Sequence, residues 1–198
     1  MNNPKRQTEV TRATKETTIF IALDLDGSGK AEIDTGIPFL DHMLTLLTVH
    51  SLCNLTVKAE GDLKVDDHHT VEDVGLVLGA AFKECLGEKK GIIRYGEATI
   101  PMDETLVRVA LDLSGRPFLS YNLELPYEVI GGMAVENIHE FMRALVNTVG
   151  MNLHLDVLRG INTHHMIEAT YKALGRSLKM AIAYEPRIES VWSSKGTL

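Results

Sequence analysis

The sequence predicts an α+β fold built from two similar half-domains, each running strands, helix, strand, helix, and three observations carry that reading. A segment that opens at Glu16-Thr17 and runs through Ala22-Leu23-Asp24-Leu25 to Gly27 returns at Glu104-Thr105, through Ala110-Leu111-Asp112-Leu113 to Gly115, at a constant offset of 88 residues. Rare polar residues repeat too: His42 lies 26 residues before the pair His68-His69 with Glu72 behind it, and His139 lies 25 residues before His164-His165 with Glu168 behind it. In each half the strand-like segments come before the helical ones instead of alternating strictly with them, which favours helices covering one face of a sheet.

The elements follow in order. Residues 17–25 and 104–113 alternate apolar with polar side chains and end in Asp26-Gly27 or Ser114-Gly115, which reads as strands closed into hairpins. Residues 39–51 and 135–149 carry apolar side chains at helical spacing, as do about 68–86 and about 164–184. Between the helices of each half, 52–57 and 151–157 alternate and are rich in β-formers, so each adds a strand. The Gly- and charge-rich stretch 87–91 is the expected seam, separating 1–90 from 91–198 within one compact domain whose two halves pack helix to helix. Residues 61–67 and 158–162 are the expected loops before each histidine pair.

Bulk composition narrows the function. A chain of 198 residues, 44% hydrophobic and 24% charged, can bury a substantial core. A formal charge of −7 argues against a general nucleic-acid binder, so any anion site must be local. Cys53 and Cys85 lack CxxC spacing, which points away from a disulfide framework or thiolate metal site and towards a reducing cytoplasm. Neither a signal-peptide core nor the roughly 18 apolar residues of a membrane span is present, so no membrane partner is expected.

The histidines carry most of the chemistry. On a helix Glu72 lies four residues from His68 and three from His69, so its carboxylate approaches either ring, while the adjacent imidazoles point about 100° apart. Neighbours so splayed do not share one ion; each pair then feeds two different metals. Six histidines, His42, His68, His69, His139, His164 and His165, with Glu72 and Glu168, divide into two sets of four. Imidazole with carboxylate suits Mn, Fe, Co, Ni or Zn, and four protein ligands leave an octahedral ion two open positions. Taken singly, an HH doublet on a surface helix is solvated; duplication with matched spacing is what favours metal. His50 and His154 fall outside the pattern, the first as a helix C-terminal residue and the second on the polar face of a strand.

The basic residues are less specific. Arg94, Arg116, Lys172 and the tail Ser193-Ser194-Lys195-Gly196 each read as solvated surface when taken alone. Together they are candidates for holding a substrate phosphate, because the tail offers hydroxyls, backbone N–H groups and an ammonium, and arginine adds a bidentate fork. Glu16 by itself reads as a strand-surface carboxylate.

Six blocks together resemble the imidazoleglycerol-phosphate dehydratase family from about residue 6 to the end: Arg12 with Glu16-Thr17, Gly36-Ile37-Pro38-Phe39-Leu40-Asp41-His42-Met43, Asp66-Asp67-His68-His69-Thr70-Val71-Glu72-Asp73, Pro101-Met102-Asp103-Glu104, His164-His165 with Glu168-Ala169, and Ser193-Ser194-Lys195-Gly196. A mild departure is Tyr171, where the family has Phe. The resemblance implies a helical layer between two β-sheets and two Mn²⁺ per subunit, one held by His42, His69, Glu72 and His165, the other by His68, His139, His164 and Glu168. It implies a homo-oligomer of 24 subunits with sites at subunit interfaces. The substrate it implies is a phosphorylated imidazole glycerol, which loses water to give imidazole acetol phosphate in histidine biosynthesis. Arg94, Arg116, Ser193 and Lys195 then hold the phosphate, Glu168 is the expected base, and Glu16 orients the hydroxyl or transfers a proton. Two rivals predict otherwise: a dinuclear hydrolase needs ions bridged about 3.5–4 Å apart, and a metal-storage oligomer needs no phosphate site.

Overall fold

The computed structural model describes residues 5–197. The first half contributes β1 (Gln7–Ala13), β2 (Thr17–Asp24), β3 (Ala31–Asp34), α1 (Pro38–Ser51), β4 (Asn54–Gly61) and α2 (His68–Leu86). The second contributes β5 (Tyr95–Met102), β6 (Thr105–Asp112), β7 (Phe118–Asn122), the short strands β8 (Val129–Ile130) and β9 (Met133–Ala134), α3 (Asn137–Val149), β10 (Asn152–Arg159) and α4 (Thr163–Ile182). Two four-stranded sheets result, ordered β1-β2-β4-β3 and β5-β6-β10-β7, with β8-β9 a separate ribbon.

The expected hairpins lie on the other side of their strands. The turns after Asp24 and Asp112 do not fold β3 or β7 back onto β2 or β6; the hairpins are β1–β2 and β5–β6. β4 and β10 insert as antiparallel partners of β2 and β6, and the short β3 and β7 pair with them in parallel. A parallel pair needs a crossover, and α1 and α3 supply it. Two element boundaries also move. Leu52 adopts φ 60 as the left-handed cap of α1, so the strand expected from residue 52 starts at Asn54. The Val135 N–H bonds the Glu128 carbonyl beside the β8–β9 ribbon, so α3 starts at Asn137.

Alternation decides which face is buried. Ile19, Ile21 and Leu23 of β2, and Val107, Val109 and Leu111 of β6, are all buried, each contributing about 1.5–3 kcal/mol by removal from water. α1 and α2 cover the first sheet, α3 and α4 the second, and α2 packs on α3 as α1 packs on α4. The four helices therefore form a layer between two sheets, and a single apolar cluster runs through both halves. The helix pairs approach closely: a Cβ on Gly79 of α2 would stand 2.7 Å from the Thr148 Cβ of α3, and one on Gly175 of α4 2.7 Å from the Leu47 carbonyl oxygen of α1. α2 and α4 start beyond the ends of β4 and β10, which brings both histidine pairs to the hairpin-turn end of their sheets. Among the described residues, no helix is long and apolar enough to cross a membrane.

Candidate metal centre and phosphate pocket

Helix capping places the histidines. The first N–H groups of a helix lack intrahelical partners. The Asn162 side chain accepts from the backbone N–H groups of His164 and His165 at 2.9 and 3.3 Å. In the first half Asp66 accepts from the His68 N–H at 2.9 Å, and Asp67 accepts from the Ala134 N–H at 2.9 Å, tying α2 to β9. Both pairs thus occupy the opening turn of a helix.

At the α1–α4 corner, His42 Nε2 and His164 Nε2 each lie 3.0 Å from the same Glu168 oxygen. Their ligand atoms all fall within 4.8 Å of one another, the one such group of three among the described residues. The other Glu168 oxygen takes the Lys172 ammonium at 2.6 Å. Burial pushes the Glu168 carboxyl up, but Lys172, His42 and His164 outweigh it and hold the group down at about 2. Phe39 packs its ring edge-on to His164 at 5.4 Å.

The α2–α3 corner is looser. His68 Nδ1 lies 3.0 Å from the side-chain Oδ1 of Asn137, while His68 Nε2 is 4.0 Å from Glu72, beyond a hydrogen bond. Glu72 accepts instead from Arg143 at 3.3 Å, and Arg143 also pairs with Glu140. His139 donates from Nδ1 to Glu140 at 3.0 Å and stands edge-on to Tyr121 at 4.9 Å. His69 Nδ1 contacts Asp62 at 3.1 Å, and His165 Nδ1 contacts Glu104 at 2.8 Å. His165 and the Asn162 N–H hold the Glu104 carboxyl below its usual range, and Asp62, with help from Glu16, raises His69. Asp62, Glu104, Asn137 and Glu140 were not singled out as site residues from sequence. Only Glu104 carried a signal, as the repeat partner of Glu16.

Glu16 lies between β1 and β2, exposed, and among the described residues its carboxylate has no hydrogen-bonding partner. Its hairpin is fastened to α2 by Asp73, which takes both the Arg12 guanidinium and the Thr17 hydroxyl. His50 sits in the last turn of α1, and His154 is exposed against Phe118, both as expected.

Arg94, Arg116, Ser193 and Lys195 do converge, lining a cavity of about 440 Å³ with Tyr95 and Trp192. Arg94 spends its fork on Asp112, at 2.6 and 2.8 Å, and donates its remaining nitrogen to the Trp192 carbonyl at 3.0 Å. It anchors the tail, and Arg116 and Lys195 carry the side-chain charge not committed to a partner among the described residues. Lys172 is not part of this wall; it belongs to the Glu168 cluster. The cavity and the histidines lie far apart in one chain. The Arg94 N–H bonds the Ala181 carbonyl near the end of α4, whereas His164 opens that helix, a separation of about 26 Å at 1.5 Å per residue.

Comparison with known proteins settles the family. Residues 35–178 match the family described as imidazoleglycerol-phosphate dehydratase. A relative of that name from Syntrophomonas wolfei is 58% identical over 96% of this chain and 96% of its own length. The chain belongs to the imidazoleglycerol-phosphate dehydratase family. Its homologue from Acetivibrio thermocellus is 55% identical, covering 98% of this chain and 99% of the relative. The crystal structure of the Staphylococcus aureus dehydratase superposes with a TM-score of 0.82 at 42% identity, over 90% of this chain and 99% of that one. The Pyrococcus furiosus structure gives 0.82 at 35% identity, over 96% and 100%. By this membership the chain is an enzyme of the hydro-lyase class with the family's α+β fold.

Against the ligand sets that the family resemblance implies, a single chain groups its residues differently. His42 sits with His164 and Glu168 of the other set, and His68 and Glu72 lie against the α3 corner of His139. Neither set of four comes together among the described residues of one chain.

Proposed function

We propose that this chain dehydrates imidazoleglycerol phosphate to imidazole acetol phosphate in histidine biosynthesis, with two divalent transition-metal ions, Mn²⁺ foremost, per subunit. The observation that carries the metal reading is the pattern of ring bonds. Four of the six histidines, His68, His69, His139 and His165, have Nδ1 engaged by Asn137, Asp62, Glu140 and Glu104. A ring whose Nδ1–H is donated keeps a lone pair on Nε2, the arrangement found around metal-bound imidazoles. His42 and His164 meet at Glu168 through Nε2 itself. The residues that would hold the ions are His42, His69, Glu72 and His165 for one, and His68, His139, His164 and Glu168 for the other. Bound there, such ions supply Lewis acidity to the nitrogen heterocycle of the substrate.

The chain's own residues divide the remaining work. Elimination removes a proton from one carbon of the glycerol chain and hydroxide from its neighbour, and the resulting enol tautomerises to the ketone. Both Glu168 oxygens are occupied, by Lys172 and by two histidines, whereas the Glu16 carboxylate has no hydrogen-bonding partner among the described residues and is near enough to His69 for its charge to act on that ring. Glu16 therefore accepts the carbon-bound proton and passes it to the departing hydroxyl, and Glu168 acts as ligand. This reverses the division expected from sequence. Arg116, Lys195 and Ser193, with Arg94 bracing the tail, take the phosphate.

A substrate of this size does not span about 26 Å along α4. The phosphate pocket of one chain must then serve the histidines of another, which favours a homo-oligomer with shared sites, and the 24-subunit assembly is the form we assign. The matched sheet orders support halves 1–90 and 91–198 as copies of one unit. Buried free Cys53 and Cys85 suit a reducing cytoplasm.

The direct test is anaerobic turnover of imidazoleglycerol phosphate by metal-stripped protein with and without Mn²⁺. Product only with Mn²⁺ is expected; two bound ions without product would overturn the substrate. A shared site is tested by co-assembling inactive His164→Ala and Arg116→Ala chains. Mixed assemblies should recover activity that neither parent shows, and no recovery would place the whole site within one chain.

A further inference from the structure

The two hairpin turns occupy matching places but do different things. Glu16 in the β1–β2 turn and Glu104 in the β5–β6 turn stand at the same position of the repeat, and each belongs to the turn nearest a histidine pair. Glu104 is held from every side. One oxygen takes the His165 ring N–H at 2.8 Å, and the other takes the Asn162 N–H at 2.9 Å, the Ile161 N–H at 3.3 Å and the Thr105 hydroxyl at 2.9 Å. Among the described residues the Glu16 carboxylate has no such bonds. On its side the corresponding ring, His69, is taken by Asp62 from the loop before α2, at 3.1 and 3.2 Å.

An ionised carboxylate accepts hydrogen bonds and cannot donate them, so the proton at each contact must sit on the ring's Nδ1. The neutral ring then carries its lone pair on Nε2. At His165 that atom is 3.9 Å from Asp103, too far for a hydrogen bond. We propose that Glu104 and Asp62 are positioning residues that hold His165 and His69 in the Nδ1–H tautomer, so that both rings present Nε2 to a divalent metal ion. This rests on the metal reading above and extends it to two carboxylates outside the ligand sets. It also explains why Glu16 is available for proton transfer: Asp62 does for His69 what Glu104 does for His165.

The test uses the assembled protein and Mn²⁺ itself. Equilibrium dialysis against buffered Mn²⁺, with metal analysis, reads the affinity of wild type, Glu104→Ala, Glu104→Gln, Asp62→Ala and Asp62→Asn, alongside the melting temperature of each metal-free form. The alanine variants should bind Mn²⁺ about 10–100-fold more weakly, the range for losing a group that orients a ligating imidazole. Glutamine and asparagine keep a carbonyl that accepts the ring N–H and should restore most of the affinity. They also carry the test if an alanine variant fails to fold. Alanine variants that match wild-type affinity would overturn the proposal, as would amide variants as weak as alanine. Wild-type protein that binds no Mn²⁺ would overturn the metal reading itself, an outcome distinct from loss confined to the variants.

Discussion

The α4 and α2 corners carry the same HHxxE pattern on equivalent helices, yet one is drawn together and the other is open. At α4, Glu168 gathers His42, His164 and Lys172. At α2, Glu72 stands 4.0 Å from His68 and turns to Arg143. The cause lies at three positions outside the pattern. Four residues beyond the glutamate stands Lys172 in α4 but Leu76 in α2; four beyond the single histidine stands Leu46 in α1 but Arg143 in α3; two before it stands Leu40 in α1 but Asn137 in α3. In the second half the cation is on the glutamate's own helix and draws the carboxylate inward. In the first it comes from across the helix pair, and Asn137 takes the His68 ring aside. A duplicated motif therefore does not guarantee a duplicated site, because the neighbours of each ligand decide where it points.

The same contrast holds between the free Glu16 and the bonded Glu104, and its largest expected consequence is kinetic. Glu16→Gln should lower kcat by about 10²–10⁴-fold, the range for a positioned proton-transfer group, with Mn²⁺ content unchanged. Turnover close to wild type would return the proton-transfer role to Glu168. The two motif glutamates should separate next in stability. Glu168→Gln leaves the partly buried Lys172 without its anion and should destabilise the metal-free protein by about 2–3 kcal/mol, whereas Glu72→Gln should cost about 1 kcal/mol or less by chemical denaturation. Equal losses would show that the corners do not differ energetically. The smallest effect is expected from Arg143→Leu, which places the α1 residue type on α3. Arg143 is 49% exposed, and its partners Glu72 and Glu140 are 33% and 19% exposed, so loss of both contacts, set against the added apolar side chain, should cost no more than about 1 kcal/mol.

Much of the fold was legible because its signals are local. Apolar spacing at 3.6 residues marked all four helices, and Ile19, Ile21, Leu23 and their counterparts in β6 marked the buried strands. The hairpins were placed on the wrong side because Asp-Gly and Ser-Gly report a turn, not which strand is the next neighbour, and the insertion of β4 and β10 is a long-range choice. Within the site, spacing selected the histidines and glutamates but not the ring partners. Asp62 in a loop and Asn137 at a helix start look like ordinary polar residues until folding brings His69 and His68 to them. Lys172 showed the reverse: read as a phosphate ligand, it is engaged by Glu168 one helical turn away.

The sequence by itself determined the four helices, one strand of each hairpin, the strand between the helices of each half and the repeat that relates the two halves, since each depends on residues near one another along the chain or on a repeat spacing; the short strands β3, β7, β8 and β9 carried no such signal. Tertiary structure alone decided which histidines share a carboxylate, which ring nitrogen stays free, and that the cavity lined by Arg116 and Lys195 lies about a helix length from those histidines in the same chain. Those outcomes depend on the packing of α1 on α4 and α2 on α3, and on Arg94 joining the far end of α4 to the tail. Contacts between segments so distant along the chain are set by the whole core, which no local pattern encodes.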